Sequence, residues 1–264
     1  MSIDVEKAAG IVTITINRPE RRNALDMEHF GLLAKAWIDF RDDPDLRVAI
    51  ITGTGTQFCV GADLKSFVPA VTDNIEALAA GTSDIPADAG LIAVLREFPL
   101  YKPVIAAVNG ICVAGGMEML LGTDIRIAAE SATFGVVEPK RGLFPGGGTT
   151  VRLPRQIPYP WAMEILLTAD YVDAHTAFRM GIVNSVVPDD ALIEEARTMA
   201  ERILINAPLA IAAVKQSVLD GLGMSLTDAY AQELGHAARV FMSEDAKEGP
   251  RAFKEKREPK WQGK

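Results

Sequence analysis

Apolar residues recur with a period of two at Val12, Ile14 and Ile16, with Ile11, Thr13 and Thr15 between them, and predict a half-buried strand over 11–16. Pro19 removes a backbone donor and ends it in the polar, basic turn Asn17-Arg18-Pro19-Glu20-Arg21-Arg22-Asn23. The period then changes. Phe30, Leu33, Ala34, Trp37 and Phe40 fall at helical spacing, with Asp26 placed as N-cap, and Asp42-Asp43-Pro44-Asp45 breaks the run. A second apolar strand is expected over 48–52 and a third over 57–60, joined by Gly53-Thr54-Gly55-Thr56. That glycine-rich turn lacks the Lys-Ser/Thr ending of a phosphate loop and opens no helix, so it reads as a plain connection. Over 65–90 the periodicity fades into Ala, Gly, Ser, Asp and Pro, the composition of a functional cover or mobile segment bordering a site. A helix is expected over 91–98.

The stretch from Lys102 to Gly148 organises the rest. A buried strand over 104–108 leads through the turn Asn109-Gly110 to Ala114-Gly115-Gly116 and a helix whose first turn holds Glu118. The Gly115 N–H therefore falls where helix donors have no internal partner, a place suited to an anion. Gly61 before Ala62 likewise permits unusual backbone, leaving the Ala62 N–H free to face a cleft. Beyond another strand (124–129) and the short run Ala132–Gly135 comes a second carboxylate, Glu138, between Val136-Val137 and Pro139. An acid at a helix start also complements the macrodipole, and a Glu beside a proline is commonly solvated. Two carboxylates together with two glycine-flanked N–H groups can instead perform acid and base steps beside an oxyanion.

After Gly148 the pattern is helical. Helices are expected over 161–168, over 174–180 with Asp173 as N-cap and Gly181 as stop, and over 191–204 with Asp190 as N-cap. Three more follow: from Pro208 to about 219, from the cap Ser225 to about 241, and across the charged end 243–256. These carry more apolar face than the remaining sheet can cover, so they pack on another subunit or form an intramolecular layer. Strand, turn, strand and helix recur at 11–40, 48–66 and 104–121. Such repetition stacks into a coil rather than an open doubly wound sheet.

Composition narrows the partners. At 264 residues, 48% hydrophobic and 23% charged, the chain has the make-up of a globular protein with one large core. A net charge of -8 argues against nucleic acid, so a polyanionic ligand would be held by local Lys, Arg and backbone N–H groups. Two cysteines, Cys59 and Cys112, give no disulfide framework and no metal spacing, which fits a reducing compartment. With no membrane-length apolar run and no signal-like start, a cytoplasmic location is expected.

The motifs NGxxxAGGMEM and FGVVEPKRGLFPGGGT, with the upstream FCVGADL (58–64) and NRPERRNAL (17–25), resemble those of the crotonase (enoyl-CoA hydratase/isomerase) superfamily, in the same order and over nearly the whole chain. The resemblance implies an α/β fold, a spiral of repeated ββα units over 1–190 holding the CoA and catalytic site, with a helical oligomerisation region over 191–264. It further implies a homotrimer or hexamer. It assigns Ala62 and Gly115 to an oxyanion hole and Glu118 and Glu138 to binding and activating water. Asp63, Leu64 and Lys65 would continue the wall along the CoA pantetheine, and Lys256 would reach a CoA phosphate, often across a subunit boundary. Ala237 stands where some members place an aromatic near the adenine, and Val60 where many have Ala. No cofactor is implied beyond the coenzyme A carried by the substrate.

Retention of both glutamates points to an enoyl-CoA hydratase acting on an acyl-CoA thioester. Carnitinyl-CoA dehydratase, similar also in the C-terminal SEDAKEGPRAFKEKREPKW, and enoyl-CoA isomerase are the alternatives within the family, and a non-catalytic acyl-CoA-binding protein is another. A triad hydrolase is excluded by the lack of a G-x-S-x-G elbow, and metal hydrolysis by the scattered His29, His175 and His236.

Overall fold

The computed structural model describes residues 2–80 and 87–264. In chain order the first half runs β1 (Ile3–Ala8), β2 (Ile11–Ile16), α1 (Met27–Asp42), β3 (Val48–Gly53), β4 (Gln57–Cys59), α2 (Phe67–Thr72), α3 (Ile75–Ala79) and α4 (Ala87–Ala93). The middle holds β5 (Val104–Val108), β6 (Ile111–Val113), α5 (Gly115–Leu120), β7 (Ile125–Ala129), β8 (Thr133–Gly135), α6 (Thr149–Gln156), α7 (Tyr159–Thr168), β9 (Val172–Asp173), α8 (Ala174–Met180) and β10 (Ser185–Val187). The tail is helical: α9 (Leu192–Leu204), α10 (Pro208–Gly221), α11 (Leu226–Phe241) and α12 (Glu244–Glu255).

From β3 to β8, successive strands alternate between two sheets. The larger has the order β1-β2-β3-β5-β7-β10 and the smaller β4-β6-β8-β9. Neighbours are parallel except for β1 with β2 and β8 with β9. Thus β3–β4, β5–β6 and β7–β8 are three turns of a coil, each placing one strand in each sheet; the expected repeats at 48–66 and 104–121 are the first two, whereas 11–40 holds only the strand β2 before its helix, and the third turn lies at 125–135 instead. Asparagines bind one turn to the next. Asn109 Oδ1 accepts the Gly53 N–H at 3.0 Å and its Nδ2 donates to the Gly55 carbonyl, while the buried Asn23 Nδ2 donates to Thr54 and Gln57 carbonyls.

The period-two pattern of the large sheet fills two cores. Ala49 and Ile51 face one side with Trp37, Phe40 and Met117, and Val48, Ile50, Ile105 and Ile127 face the other. The second side is covered by Leu192, Ala196 and Ala200 of α9. This first helix beyond residue 190 is therefore an intramolecular layer. The later helices differ: Val214 and Val218 of α10, Leu222 just beyond it, and Tyr230, Leu234 and Phe241 of α11 remain exposed. Among the described residues no single helix is long and apolar enough to cross a membrane.

Several elements depart from the expected boundaries. Strand β1 was not expected at all; only Ile3 in it is buried, so its Asp4, Glu6 and Lys7 mask the alternation. The helix expected over 91–98 ends at Ala93, because Leu95 and Glu97 take positive φ and a guanidinium, that of Arg152, binds the Val94 and Leu95 carbonyls instead. Within the irregular 65–90 segment lie α2, α3 and the start of α4; residues 81–86 of that expectation fall outside the described residues. Asp190 does not cap α9. It sits in a short 3-10 turn, and Ala191 occupies the cap without a side-chain bond. Asp26, Asp173 and Ser225 do cap as expected, each accepting the N–H of the residue three positions on.

Candidate active site

A cavity of about 1030 Å³ opens where the smaller sheet meets α1, α2, α4 and α5. Ala62, Asp63, Leu64, Lys65, Gly115, Glu118 and Glu138 all line it. Seven of the eight residues singled out from sequence are thus gathered in one place. The eighth, Lys256, caps the end of α12 and is not among the lining residues.

Two N–H groups face this space from adjoining backbones. Strand β4 ends at Cys59 and the chain bends at Gly61, whose φ of +86° is open to glycine without the penalty a side chain brings. A Cβ there would lie 2.5 Å from Gly115 N, so only glycine lets the two loops touch. The Gly61 carbonyl accepts the Leu25 N–H at 2.8 Å, and across a trans peptide the Ala62 N–H must point the opposite way. At the other loop, Ala114 adopts φ 52°, ψ -125°, a strained conformation for a side-chain-bearing residue, and its carbonyl accepts the first α5 bond from Glu118 N–H at 3.0 Å. The Gly115 N–H is turned away by the same geometry. Neither N–H is bonded to an acceptor among the described residues.

Helix α5 also delivers Glu118, which is 8% exposed. Its Oε1 accepts the Gly147 N–H, and a Cβ on Gly147 would come within 2.5 Å of the Glu118 Cδ, so the glycine makes room for the carboxylate. Burial raises the Glu118 pKa, while the Gly147 bond and the Arg152 and Arg96 cations draw it down. Arg152 is fixed beneath it, donating to the carbonyls of Glu118, Val94 and Leu95.

Glu138 opens the short 3-10 turn after β8 and sits between Val137 and Pro139. Its Oε2 is buried without a hydrogen-bond partner among the described residues. Burial pushes its pKa up to about 7, with the Glu118 charge adding to the rise. Two carboxyls in one cavity therefore have different surroundings: Glu118 has a donor and nearby cations, Glu138 has neither at Oε2.

Asp63, Leu64 and Lys65 differ in their surroundings. Asp63 is already occupied, Oδ1 accepting the Lys65 N–H of its own loop at 2.9 Å and Oδ2 an N–H of the distant Arg18 at 3.2 Å, so its side chain shapes the wall rather than offering a ligand. Leu64 and Lys65 are exposed at the rim. Residues not singled out from sequence complete the site. Arg21, Arg22 and Arg141 bring positive charge to the lining, as the basic composition of the Asn17–Asn23 turn could have suggested, and Phe67, Val68, Val71, Leu91 and Val94 supply apolar wall. The 65–90 segment contributes lining as expected, and Arg141, Leu143, Phe144, Gly146 and Gly147 add to it. Among the described residues no group of three His, Cys, Asp or Glu side chains is arranged to hold a metal ion.

The family model described as Enoyl-CoA hydratase/isomerase matches residues 6–264. The chain is 43% identical over 259 residues to the enoyl-CoA hydratase EchA19 of Mycobacterium tuberculosis, covering 98% of this chain and 95% of that one. It is 40% identical over 268 residues to the carnitinyl-CoA dehydratase of Citrobacter koseri, covering 99% and 98%. Among solved structures, an enoyl-CoA hydratase from Bacillus anthracis superposes with a TM-score of 0.91 at 34% identity over 100% of both chains. One from Mycobacterium tuberculosis gives 0.89 at 40% identity, covering 100% of this chain and 99% of that one. A cavity that gathers Glu118 and Glu138 with the Ala62 and Gly115 N–H groups, on a coil of ββα units matched over residues 6–264, places this chain in the enoyl-CoA hydratase/isomerase family.

Proposed function

We propose that the protein is an enoyl-CoA hydratase, adding water reversibly across the 2,3 double bond of an enoyl-CoA thioester. The observation that carries this reading is the convergence of Glu118 and Glu138 on the cavity faced by the unbonded Ala62 and Gly115 N–H groups. As water attacks C3, negative charge develops on the thioester oxygen, and two N–H donors fixed in advance stabilise it. Loss of one such donor typically costs about 3 kcal/mol of barrier.

The carboxyls take separate roles by environment. Glu118, bonded to Gly147 N–H and near Arg152 and Arg96, is the group better kept ionised and takes the proton from water. Glu138, with its pKa near 7, is substantially protonated at neutral pH and delivers a proton to C2. Exchange with solvent returns the proton from Glu118 and recharges Glu138, so each cycle consumes one water. Ala62, Gly115 and the Leu64–Lys65 wall hold the thioester; Arg21, Arg22 and Arg141 suit the CoA phosphates, with Lys256 contributing from a neighbouring subunit. No cofactor is required beyond the substrate's own coenzyme A.

The acyl group favoured is a hydrocarbon. Phe67, Val68, Val71, Leu91 and Val94 line the cavity, and among the described residues its carboxylates are Glu20, the occupied Asp63 and the two reacting glutamates. A carnitinyl group would carry a quaternary ammonium among these apolar side chains, which disfavours the dehydratase reading. Double-bond isomerisation alone would leave Glu118 without a task, and mere acyl-CoA binding would leave both carboxyls without one. The exposed apolar faces of α10 and α11 fit burial in a homotrimer or hexamer of a cytoplasmic enzyme, measurable by light scattering in solution.

Purified protein mixed with crotonyl-CoA should remove the enoyl-thioester absorbance. A substrate panel of short, medium and branched enoyl-CoAs, with carnitinyl-CoA and 3-enoyl-CoA, separates the readings; no turnover on any 2-enoyl thioester defeats the proposal.

A further inference from the structure

A line of charged side chains that takes no part in the proton transfers runs behind the Ala62 donor. Arg18 Nη1 donates to the Ala24 carbonyl at 2.9 Å and to Asp63 Oδ2 at 3.2 Å, and its Nη2 lies 3.0 Å from Asp26 Oδ2. Asp26 Oδ1 in turn lies 2.5 Å from His29 Nδ1. The Arg18 and Asp63 side chains are 15% and 12% exposed, so this pair is shielded from the solvent that weakens surface pairs.

What the guanidinium spans is the short parallel bridge between Leu25 and Ala62. In it the Leu25 N–H donates to the Gly61 carbonyl and the Asp63 N–H to the Leu25 carbonyl, both at 2.8 Å. The Gly61 carbonyl and the Ala62 N–H are two ends of one rigid peptide plane. With φ of +86° at Gly61, the plane sits beside the most torsionally permissive residue of the loop, and this isolated bridge has no extended ladder to hold it. Arg18 ties the residue before Leu25 to the residue after Ala62, one on each strand of the bridge.

We propose that Arg18 is a positioning residue for the hydration reaction: by clamping Ala24 to Asp63 across the Leu25–Ala62 bridge, it fixes the peptide plane that aims the Ala62 N–H at the thioester oxygen. The inference rests on the hydratase reading for the identity of that oxygen. Arg18 itself is absent from the cavity lining, whereas Arg21 and Arg22 of the same loop are part of it. Arginine suits the task because its planar fork can serve two carboxylates and a carbonyl at once, whereas an ammonium group offers a point charge on a flexible stem.

The test compares Arg18→Gln, Arg18→Lys, Asp63→Asn and the Arg18→Gln/Asp63→Asn pair. Asn at 63 can still accept the Lys65 N–H while losing the charge. Removing an oxyanion donor outright costs roughly a hundred- to a thousandfold in kcat, so misaiming one should cost about ten- to a hundredfold. Arg18→Gln is expected to lower kcat on crotonyl-CoA by that amount with KM within about threefold, and Arg18→Lys to recover part of the loss. The double variant should be no worse than the poorer single one. The enolate absorbance of bound acetoacetyl-CoA reports directly how well the two N–H groups hold a negative oxygen, and it should drop in Arg18→Gln and Asp63→Asn. A wild-type enolate band and unchanged kcat in Arg18→Gln overturn the inference, as does a loss confined to KM. If Arg18→Gln fails to fold, Asp63→Asn decides by the same band. If the wild type hydrates nothing, the hydratase reading fails alone and the band still decides on Arg18; a wild type that binds acetoacetyl-CoA without the band overturns it.

Discussion

Cys59 and Cys112 stand directly opposite one another across the parallel pairing of β4 with β6. Each lies three residues ahead of an N–H donor, in Cys59-Val60-Gly61-Ala62 and Cys112-Val113-Ala114-Gly115. The two donors are therefore the same position in successive turns of the coil. Neighbouring strands lie about 4.8 Å apart, which lets two N–H groups leaving adjacent strand ends reach one oxygen at about 2.9 Å each. Both thiols are buried, that of Cys59 pushed up to about 12, so they serve as small packing groups under the donors.

The separate surroundings of the two glutamates set a pH profile. For hydration, Glu138 must carry its proton, so kcat/KM on crotonyl-CoA should fall as pH rises through about 7. In the dehydration direction Glu138 must start ionised, and the rate should fall as pH drops through the same value. Profiles measured in both directions check this, and an alkaline limb that survives in Glu138→Gln would sink the assignment.

Glu138→Gln should lower kcat by about two to four orders of magnitude, the range of a lost acid–base group, while a calorimetric isotherm for a CoA thioester changes little. It should also alter stability. The folded pKa of Glu138 is raised from 4.5 to about 7, so its contribution is fully present below the unfolded value and is lost as pH rises between the two. The Tm of Glu138→Gln should therefore gain on that of the wild type between pH 5 and pH 8. A constant difference would show that the buried carboxyl does not titrate in that window.

Gly147→Ala places a methyl where the Glu118 carboxylate now lies, within 2.5 Å of Cδ. The carboxylate must move, and misplacing a catalytic group by about an ångström costs roughly a hundredfold in rate. Overpacking adds about 1–3 kcal/mol of destabilisation. Crotonyl-CoA kinetics with a thermal melt would reveal both effects, and near-normal kcat would mean that Glu118 does not act from the position described.

Arg152→Met removes a cation that lowers the Glu118 pKa, and it strips a charged donor from three carbonyls. The acid limb of hydration should move to higher pH. Stability should drop by about 2–3 kcal/mol, as for a lost charged hydrogen bond to buried groups. An unmoved acid limb would separate Arg152 from the ionisation of Glu118.

Much of this was legible in the sequence where the signal is local. The Asp26 cap, the β-branched run at Val104–Val108 and the glycines beside Ala62 and Glu118 report their own backbone, and family likeness joined the two glutamates into one site. What was missed depends on distant partners. Strand β1 is an edge whose charged face needs β2 to become visible. The end of α4 is set by Arg152, more than fifty residues downstream, and Gly147 acquires its meaning only from the carboxylate that fills its missing side chain. Arg18 and Asp63 read as a basic turn and a wall residue until the bridge between their strands brings them together.

The apolar wall contributed by α2 and α4 belongs to a different part of the chain from the ladder ends that carry the donors. On the hydratase reading, the reacting groups and this apolar wall are thus written in separate registers of the sequence. Lengthening, shortening or recolouring the stretch between Phe67 and Val94 could redirect the protein to new acyl tails while the reactive centre is inherited intact.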